Sequence, residues 1–132
     1  MTPRTASCLC GALSVTCEGD PFRISVCHCL DCQKRSGSSF AAQARFPAKQ
    51  VTVTGEAKVW VRTADSGKTS DHHFCPTCGG ELWYVAEPFR DMMAIPIGRF
   101  ADPAFPPPEY SVYEERKHGW VQIVGDGVEH YD

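Results

Sequence analysis

The sequence has no long hydrophobic run, and no stretch approaches the roughly 20 apolar residues that a membrane-spanning helix needs. The residues before the first cysteine contain no apolar segment of the kind that a secretory signal requires. Positive charge is not in excess either, because the net charge is −3 and no long basic run occurs. We therefore expect a cytoplasmic protein that binds neither membranes nor nucleic acids.

Long helical periodicity, internal repeats and linkers are also missing, so we expect one mainly β domain over residues 1–132. Alternating residues such as Leu13, Val15 and Cys17 are typical of a half-buried strand. The pattern predicts one helical turn at 33–36, stopped by Gly37, and a hairpin of 51–54 with 58–62 around Gly55. Further strands are predicted over 12–17, 22–26, 38–46, 69–74, 81–85, 92–97 and 120–124.

Cysteine is abundant, with eight residues in 132. Without an export signal, these thiols indicate reduced metal ligands and not four disulfides. Seven of them form three local groups, which are Cys8 and Cys10; Cys27, Cys29 and Cys32; and Cys75 and Cys78. The simplest partition joins the first and last groups into a four-cysteine zinc site and leaves a three-cysteine zinc site. Spacing alone does not prove it, because Cys17 is an alternative fourth ligand of the trio, although its strand face indicates a small buried residue.

A zinc held by three protein ligands keeps one coordination position for substrate, and three thiolates suit thiol chemistry. His28 lies between two ligands and is a candidate proton shuttle, but strand alternation favours a ring that points away from the sulfurs into a backbone hydrogen bond. Lys34 and Arg35 are candidate partners for the carboxylates of glutathione, and Ser38 is a candidate pocket residue.

Two adjacent histidines, His72 and His73, precede the last cysteine pair. Neighbouring side chains on a strand point to opposite faces, so these two residues are unsuited to bind one metal together. We expect them to be strand residues, with one ring exposed. The aromatic residues are interpreted as core and rim residues: Trp60, Trp83, Tyr84, Phe89 and Trp120.

Several motifs occur together in a specific order: Cys8-Leu9-Cys10-Gly11, Cys27-His28-Cys29-x-x-Cys32, Phe74-Cys75-x-x-Cys78-Gly79, Gly98-Arg99-Phe100-Ala101-Asp102-Pro103 and Trp120. On these motifs the chain resembles the family of the glutathione-dependent formaldehyde-activating enzyme (GFA) and centromere protein V. The resemblance covers roughly residues 8–124. Two places depart from the family pattern. Basic residues are more usual at the positions of His72 and His73, and a histidine is more usual at the position of Ser111.

The resemblance implies a β-tent fold of stacked antiparallel sheets with CxC and CxxC knuckles and two zinc ions per chain. It implies that a structural zinc is bound by Cys8, Cys10, Cys75 and Cys78, and a catalytic zinc by Cys27, Cys29 and Cys32. The family's chemistry is the making or breaking of a carbon–sulfur bond in a glutathione adduct of an aldehyde.

The combined prediction is a zinc-dependent carbon–sulfur lyase that acts on an adduct of a small thiol, such as glutathione, with an aldehyde. One alternative is a non-catalytic zinc-binding module for protein interaction. Another is a thiol redox or metal-buffering role.

Overall fold

Two β-sheets form most of the structure, a computed structural model that describes residues 3–132. In chain order, the strands and the helix are β1 (Arg4–Ser7), β2 (Ser14–Cys17), β3 (Arg23–Cys27), α1 (Leu30–Ser36), β4 (Ala41–Pro47), β5 (Val51–Thr54), β6 (Lys58–Thr63), β7 (Thr69–Phe74), β8 (Glu81–Ala86), β9 (Met92–Pro96), β10 (Tyr110–Val112) and β11 (Glu129–His130). Short 3-10 helices lie at Ala48–Gln50, Ile97–Phe100 and Glu114–Arg116. The predicted mainly β fold class is therefore confirmed.

The smaller sheet has the strand order β1-β2-β5, and the larger has the order β11-β10-β3-β4-β9-β8-β7-β6. Neighbouring strands are antiparallel except where β10 runs parallel to β3 and to β11. Among residues 3–132, no helix combines the length and apolar character needed to cross a membrane.

Residues from both sheets share a hydrophobic core. The small sheet contributes Val15 and Cys17, which are fully buried on alternating positions of β2, as the sequence pattern predicts. The large sheet contributes Phe46, Leu82 and Ile95, also fully buried. Packing the two sheets against this core holds the β1–β2 turn close to the β7–β8 turn, where the cysteine pairs lie.

The predicted hairpin of 51–54 with 58–62 is wrong. Strand β5 pairs with β2, with Val53 opposite Val15, whereas β6 pairs with β7 in the other sheet. Gly55 makes this separation possible, because its φ of +100° is in the region that favours glycine, and a Cβ there would overlap the carbonyl oxygen of Ala12. The alternation pattern predicts that these segments are strands, but it carries no information on their partners.

Other boundaries also differ from those predicted. The strand predicted over residues 120–124 is wrong, since the backbone there makes no ladder with another strand. Strands β1, β10 and β11 were not predicted. The strand expected at 38–46 begins only at Ala41, and the helical turn expected at 33–36 starts three residues earlier, at Leu30. The predicted stop at Gly37 is confirmed, since Gly37 adopts φ 70° and its N–H donates to the Gln33 carbonyl at 2.8 Å.

Candidate functional site

Four cysteines from distant parts of the chain meet beside the core. Their sulfur atoms all lie within 4.8 Å of one another; they belong to Cys8, Cys10, Cys75 and Cys78. The Cys8 and Cys10 sulfurs are 3.7 Å apart, and those of Cys10 and Cys75 are 3.6 Å apart. A tetrahedron with Zn–S bonds of about 2.3 Å has sulfur–sulfur edges of about 3.8 Å. The group therefore has the composition and size of a closed four-thiolate metal site.

Backbone amides surround these sulfurs. The N–H of Leu13 donates to the Cys8 sulfur at 3.3 Å, and the N–H of Thr77 donates to the Cys75 sulfur at 3.3 Å. Backbone hydrogen bonds from Cys10 and Gly80 lower the pKa of the Cys78 thiol to about 6. Amide donors stabilise thiolates, but for Cys10 the backbone hydrogen bond with Ala12, which lowers the pKa, is outweighed by the neighbouring thiols and by burial, which raise it to about 11.

The other three cysteines form a second group where β3 passes into α1. Cys27 is the last residue of β3, Cys29 caps the N-terminus of α1, and Cys32 lies in its first turn. Their sulfurs lie within 4.8 Å of one another, and the Cys32 N–H donates to the Cys29 sulfur at 3.3 Å. A hydrogen bond from Cys27, helped by Cys29 and the charge of Arg35, lowers the pKa of Cys32 to about 5. The described residues add no fourth Cys, His, Asp or Glu ligand to this group.

Cys17 belongs to neither group. It is fully buried on β2, and burial raises the pKa of its thiol to about 11. The prediction that Cys17 is a small core residue is confirmed.

His28 has no exposed surface. Its Nε2 lies 2.9 Å from the Ser111 hydroxyl, so its partner is a side chain and not the backbone group expected from the sequence. Burial lowers the pKa of the imidazole, which favours the neutral ring. His28 lines neither of the two cavities that reach the cysteine trio. Ser111, where a histidine is more usual in the family, is the buried hydrogen-bond partner of His28.

A cavity of about 640 Å³ lies against the trio, within the range of small-molecule binding sites. Cys29 and Cys32 form part of its wall, and the remainder is contributed by α1 and by strands β6, β7 and β8. A smaller cavity of about 220 Å³ is lined in part by Cys27 and Cys32. Cys32 and Tyr84 line both cavities, so two accessible spaces adjoin the trio.

The predicted substrate residues divide between two cavities. Lys34 and Arg35 line the 640 Å³ cavity, where Lys34 is exposed at the wall, and Arg35 also lines the neighbouring cavity. Ser38 instead lines a neighbouring cavity of about 530 Å³, because the chain turns away at Gly37 before β4. Ser38 is therefore not brought together with the cysteine trio.

A buried ionic network crosses the cavity wall. Arg35 Nη1 lies 2.7 Å from Glu81 Oε2, and both side chains are less than one-fifth exposed, at 17% and 16%. Glu81 Oε1 lies 2.5 Å from His72 Nδ1, and the Arg35 guanidinium lies 4.7 Å from the centre of the Tyr84 ring. Burial opposes ionisation of Glu81, but its hydrogen bond with His72 and the charge of Arg35 hold its pKa below the ordinary value. Arg35 is thus already paired with a carboxylate.

His72 and His73 lie on opposite faces of β7, as predicted, but the expected exposed ring is wrong. His72 is buried at 5.4 Å from the Tyr84 ring centre, and the half-buried His73 stacks on Trp83 at 4.3 Å. Neither His72 nor Glu81 was identified from the sequence as a site residue. In the sequence, strand alternation places Ser70, His72 and Phe74 on one face of β7. Alternation does not show that this face lines a cavity, so it could not identify His72 as a site residue.

The family model of the glutathione-dependent formaldehyde-activating enzyme (GFA) matches residues 3–116. No curated protein matches the chain. The crystal structure of a Rhodobacter sphaeroides protein from structural genomics is similar, with a TM-score of 0.56 and 20% sequence identity over 78% of this chain and 91% of that chain. At this identity, the likeness shows the fold alone. Because the family model covers most of the sequence, the chain belongs to the GFA family.

Proposed function

We propose that this protein is a zinc-dependent enzyme that makes or breaks the carbon–sulfur bond in an adduct of a small thiol, such as glutathione, with an aldehyde. The observation that carries this proposal is the cavity of about 640 Å³ against Cys29 and Cys32, two members of a three-sulfur group with no fourth ligand among the described residues. Family membership supports the choice of glutathione and aldehyde chemistry.

Both cysteine groups fit zinc, because thiolate sulfur is a preferred zinc donor and the thiols are free to bind. In this proposal Cys8, Cys10, Cys75 and Cys78 hold a structural zinc, and Cys27, Cys29 and Cys32 hold a catalytic one. When bound at the trio, zinc supplies an open coordination position and lowers the pKa of a thiol that occupies it.

The surrounding side chains bind and orient the substrate. Lys34 is a cation of the cavity wall and pairs with a carboxylate of the thiol compound. Arg35 is held by Glu81 and acts on the electrostatics of Cys32 more than on a substrate carboxylate. Trp60, which is 57% exposed, and Phe74 provide an apolar part of the wall for the substrate to pack against. Ser38 and His28 have no part in this arrangement.

The test combines metal content with thiol uptake. Native mass spectrometry of the reduced protein is expected to show two zinc ions, and added glutathione is expected to form a complex that Cys29→Ser abolishes. Cys17→Ala is the matched control, since Cys17 lies outside both groups, and it should retain both zinc ions and the complex. Unchanged zinc content and glutathione binding in Cys29→Ser would contradict the proposal.

Catalysis needs a second measurement. NMR exchange between ¹³C-formaldehyde and its glutathione adduct should be accelerated by the wild-type protein and not by Cys29→Ser. Two bound zinc ions without thiol uptake or acceleration would instead support the non-catalytic interaction module. Reversible oxidation of the trio with the same negative result would support the redox role.

A further inference from the structure

A second chemically competent group lies in the same cavity and uses none of the cysteines. Ser70 and His72 are on one face of β7, and Glu81 begins the adjacent strand β8. All three side chains line the 640 Å³ cavity. Ser70 Oγ lies 2.8 Å from His72 Nε2, and His72 Nδ1 lies 2.5 Å from Glu81 Oε1.

The proton positions in this chain of hydrogen bonds follow from Glu81. Its other oxygen pairs with Arg35 at 2.7 Å, so the carboxylate is ionised and can only accept a hydrogen bond. His72 Nδ1 must therefore carry the proton that it donates to Glu81. In the neutral ring Nε2 then has a free electron pair, and it accepts the hydroxyl proton of Ser70.

The imidazole is also fixed in orientation. Its ring centre lies 5.6 Å from that of Trp60 and 5.4 Å from that of Tyr84, so it is held between two aromatic side chains. A serine that donates to a histidine, which in turn donates to a carboxylate, is the arrangement that activates a serine nucleophile, and here the carboxylate of Glu81 is 16% exposed. Lys34 adds positive charge to the same cavity, of the sign that stabilises a carbonyl oxyanion, whereas Arg62 there is paired with Asp31 at 2.7 Å.

We infer that Ser70, His72 and Glu81 form a nucleophilic centre for acyl transfer, with a small carboxylic ester or thioester as its substrate. This inference goes beyond thiol–aldehyde chemistry and does not depend on zinc.

In the reaction, Ser70 Oγ attacks the acyl carbon while His72 accepts its proton. The bond from the acyl carbon to the leaving oxygen or sulfur breaks, and His72 gives the proton to the leaving alcohol or thiol. Water then attacks the acyl-Ser70 ester and loses a proton to His72. Release of the carboxylic acid returns that proton to Ser70, so that one water is consumed for each ester or thioester cleaved.

The first test is covalent labelling with a fluorophosphonate probe, followed by peptide mapping. Wild-type protein should be labelled at Ser70, Ser70→Ala should not be labelled there, and His72→Gln should be labelled at least about tenfold more slowly. Ser14→Ala, which alters a half-buried strand serine of the small sheet, is the matched control and should be labelled like wild type. Circular dichroism and zinc content report whether each variant is folded.

The second test follows hydrolysis of 4-nitrophenyl acetate and of S-acetylglutathione by the zinc-loaded protein. Ser70→Ala should lower the rate for at least one of these substrates by about 100-fold or more, with the fold intact. Absence of labelling at Ser70 in folded wild-type protein would overturn the inference. A His72→Gln variant labelled as fast as wild type would also overturn it.

Discussion

At the scale of single residues, Glu81 connects helix α1 to strand β7 in the cavity wall. One carboxylate oxygen binds Arg35 from α1, and the other binds His72 from β7. Both contacts are largely shielded from solvent, so the loss of either partner leaves an unpaired polar group in the protein. Glu81 therefore contributes to stability as well as to the electrostatics of the site.

We expect Glu81→Gln to lower the free energy of unfolding by about 3 kcal/mol at pH 7, because Arg35 loses its buried anionic partner. The pKa of Glu81 is lowered in the folded state, so its contribution is present in full above the ordinary value of 4.5 and is lost as the pH falls through the lowered folded pKa. The difference between variant and wild type should therefore shrink below pH 4.5.

Urea unfolding of both proteins at a series of pH values measures this difference. Glu56→Gln, at an exposed position, is the control and should unfold like wild type. A Glu81→Gln effect that is constant down to pH 3 would show that the carboxylate charge is not responsible.

At the scale of elements, α1 is a short helix whose two ends serve the site. Its N-terminal end is capped by Cys29, and its last turn presents Lys34 and Arg35 to the cavity. The helix stops at Gly37 in a left-handed conformation, which sends the chain into β4. The end of the helix is thus encoded by one residue whose backbone conformation other residues adopt only at a cost.

We expect Gly37→Ala to destabilise the protein by about 1 kcal/mol, because φ is +70° there, although a Cβ at this position would meet no atom within 4 Å. Gly98→Ala is the matched control, since it also has free space but no positive φ. Chemical denaturation should give an unfolding free energy for Gly98→Ala within about 0.5 kcal/mol of wild type. Equal effects of the two substitutions would mean that backbone conformation is not the cause.

At the scale of the whole molecule, the four-cysteine group joins the turns of two different sheets. Cys10 and Cys75 are 65 residues apart in sequence, whereas the trio is confined to residues 27–32. A metal that closes a long loop removes more conformational freedom from the unfolded chain than one that closes a short loop. The two groups therefore differ in structural importance.

We expect Cys10→Ser to remove one zinc ion and to lower the melting temperature by at least about 15 °C, since structural zinc contributes on the order of 10 kcal/mol in small domains. Cys29→Ser should also remove one zinc ion, but it should lower the melting temperature by less than about 5 °C because its group is local. Thermal unfolding with metal analysis tests both variants. A greater loss of stability in Cys29→Ser would reverse this assignment of the two groups.

The sequence by itself determined the features that depend on local patterns. Alternation placed Cys17 in the core, Gly37 ended the helix, and the cysteine spacing separated the trio from the two pairs. Each of these follows from the backbone conformation or side-chain period of a few consecutive residues.

Only the tertiary structure decided which distant residues meet. It paired β5 with β2 and not with β6, turned His28 toward Ser111, and left Ser38 outside the cavity of the trio. It also brought His72 of β7 to Glu81 of β8. These contacts depend on strand pairing between segments far apart in the chain, and local alternation specifies the face of a strand but not the strand or helix that it faces.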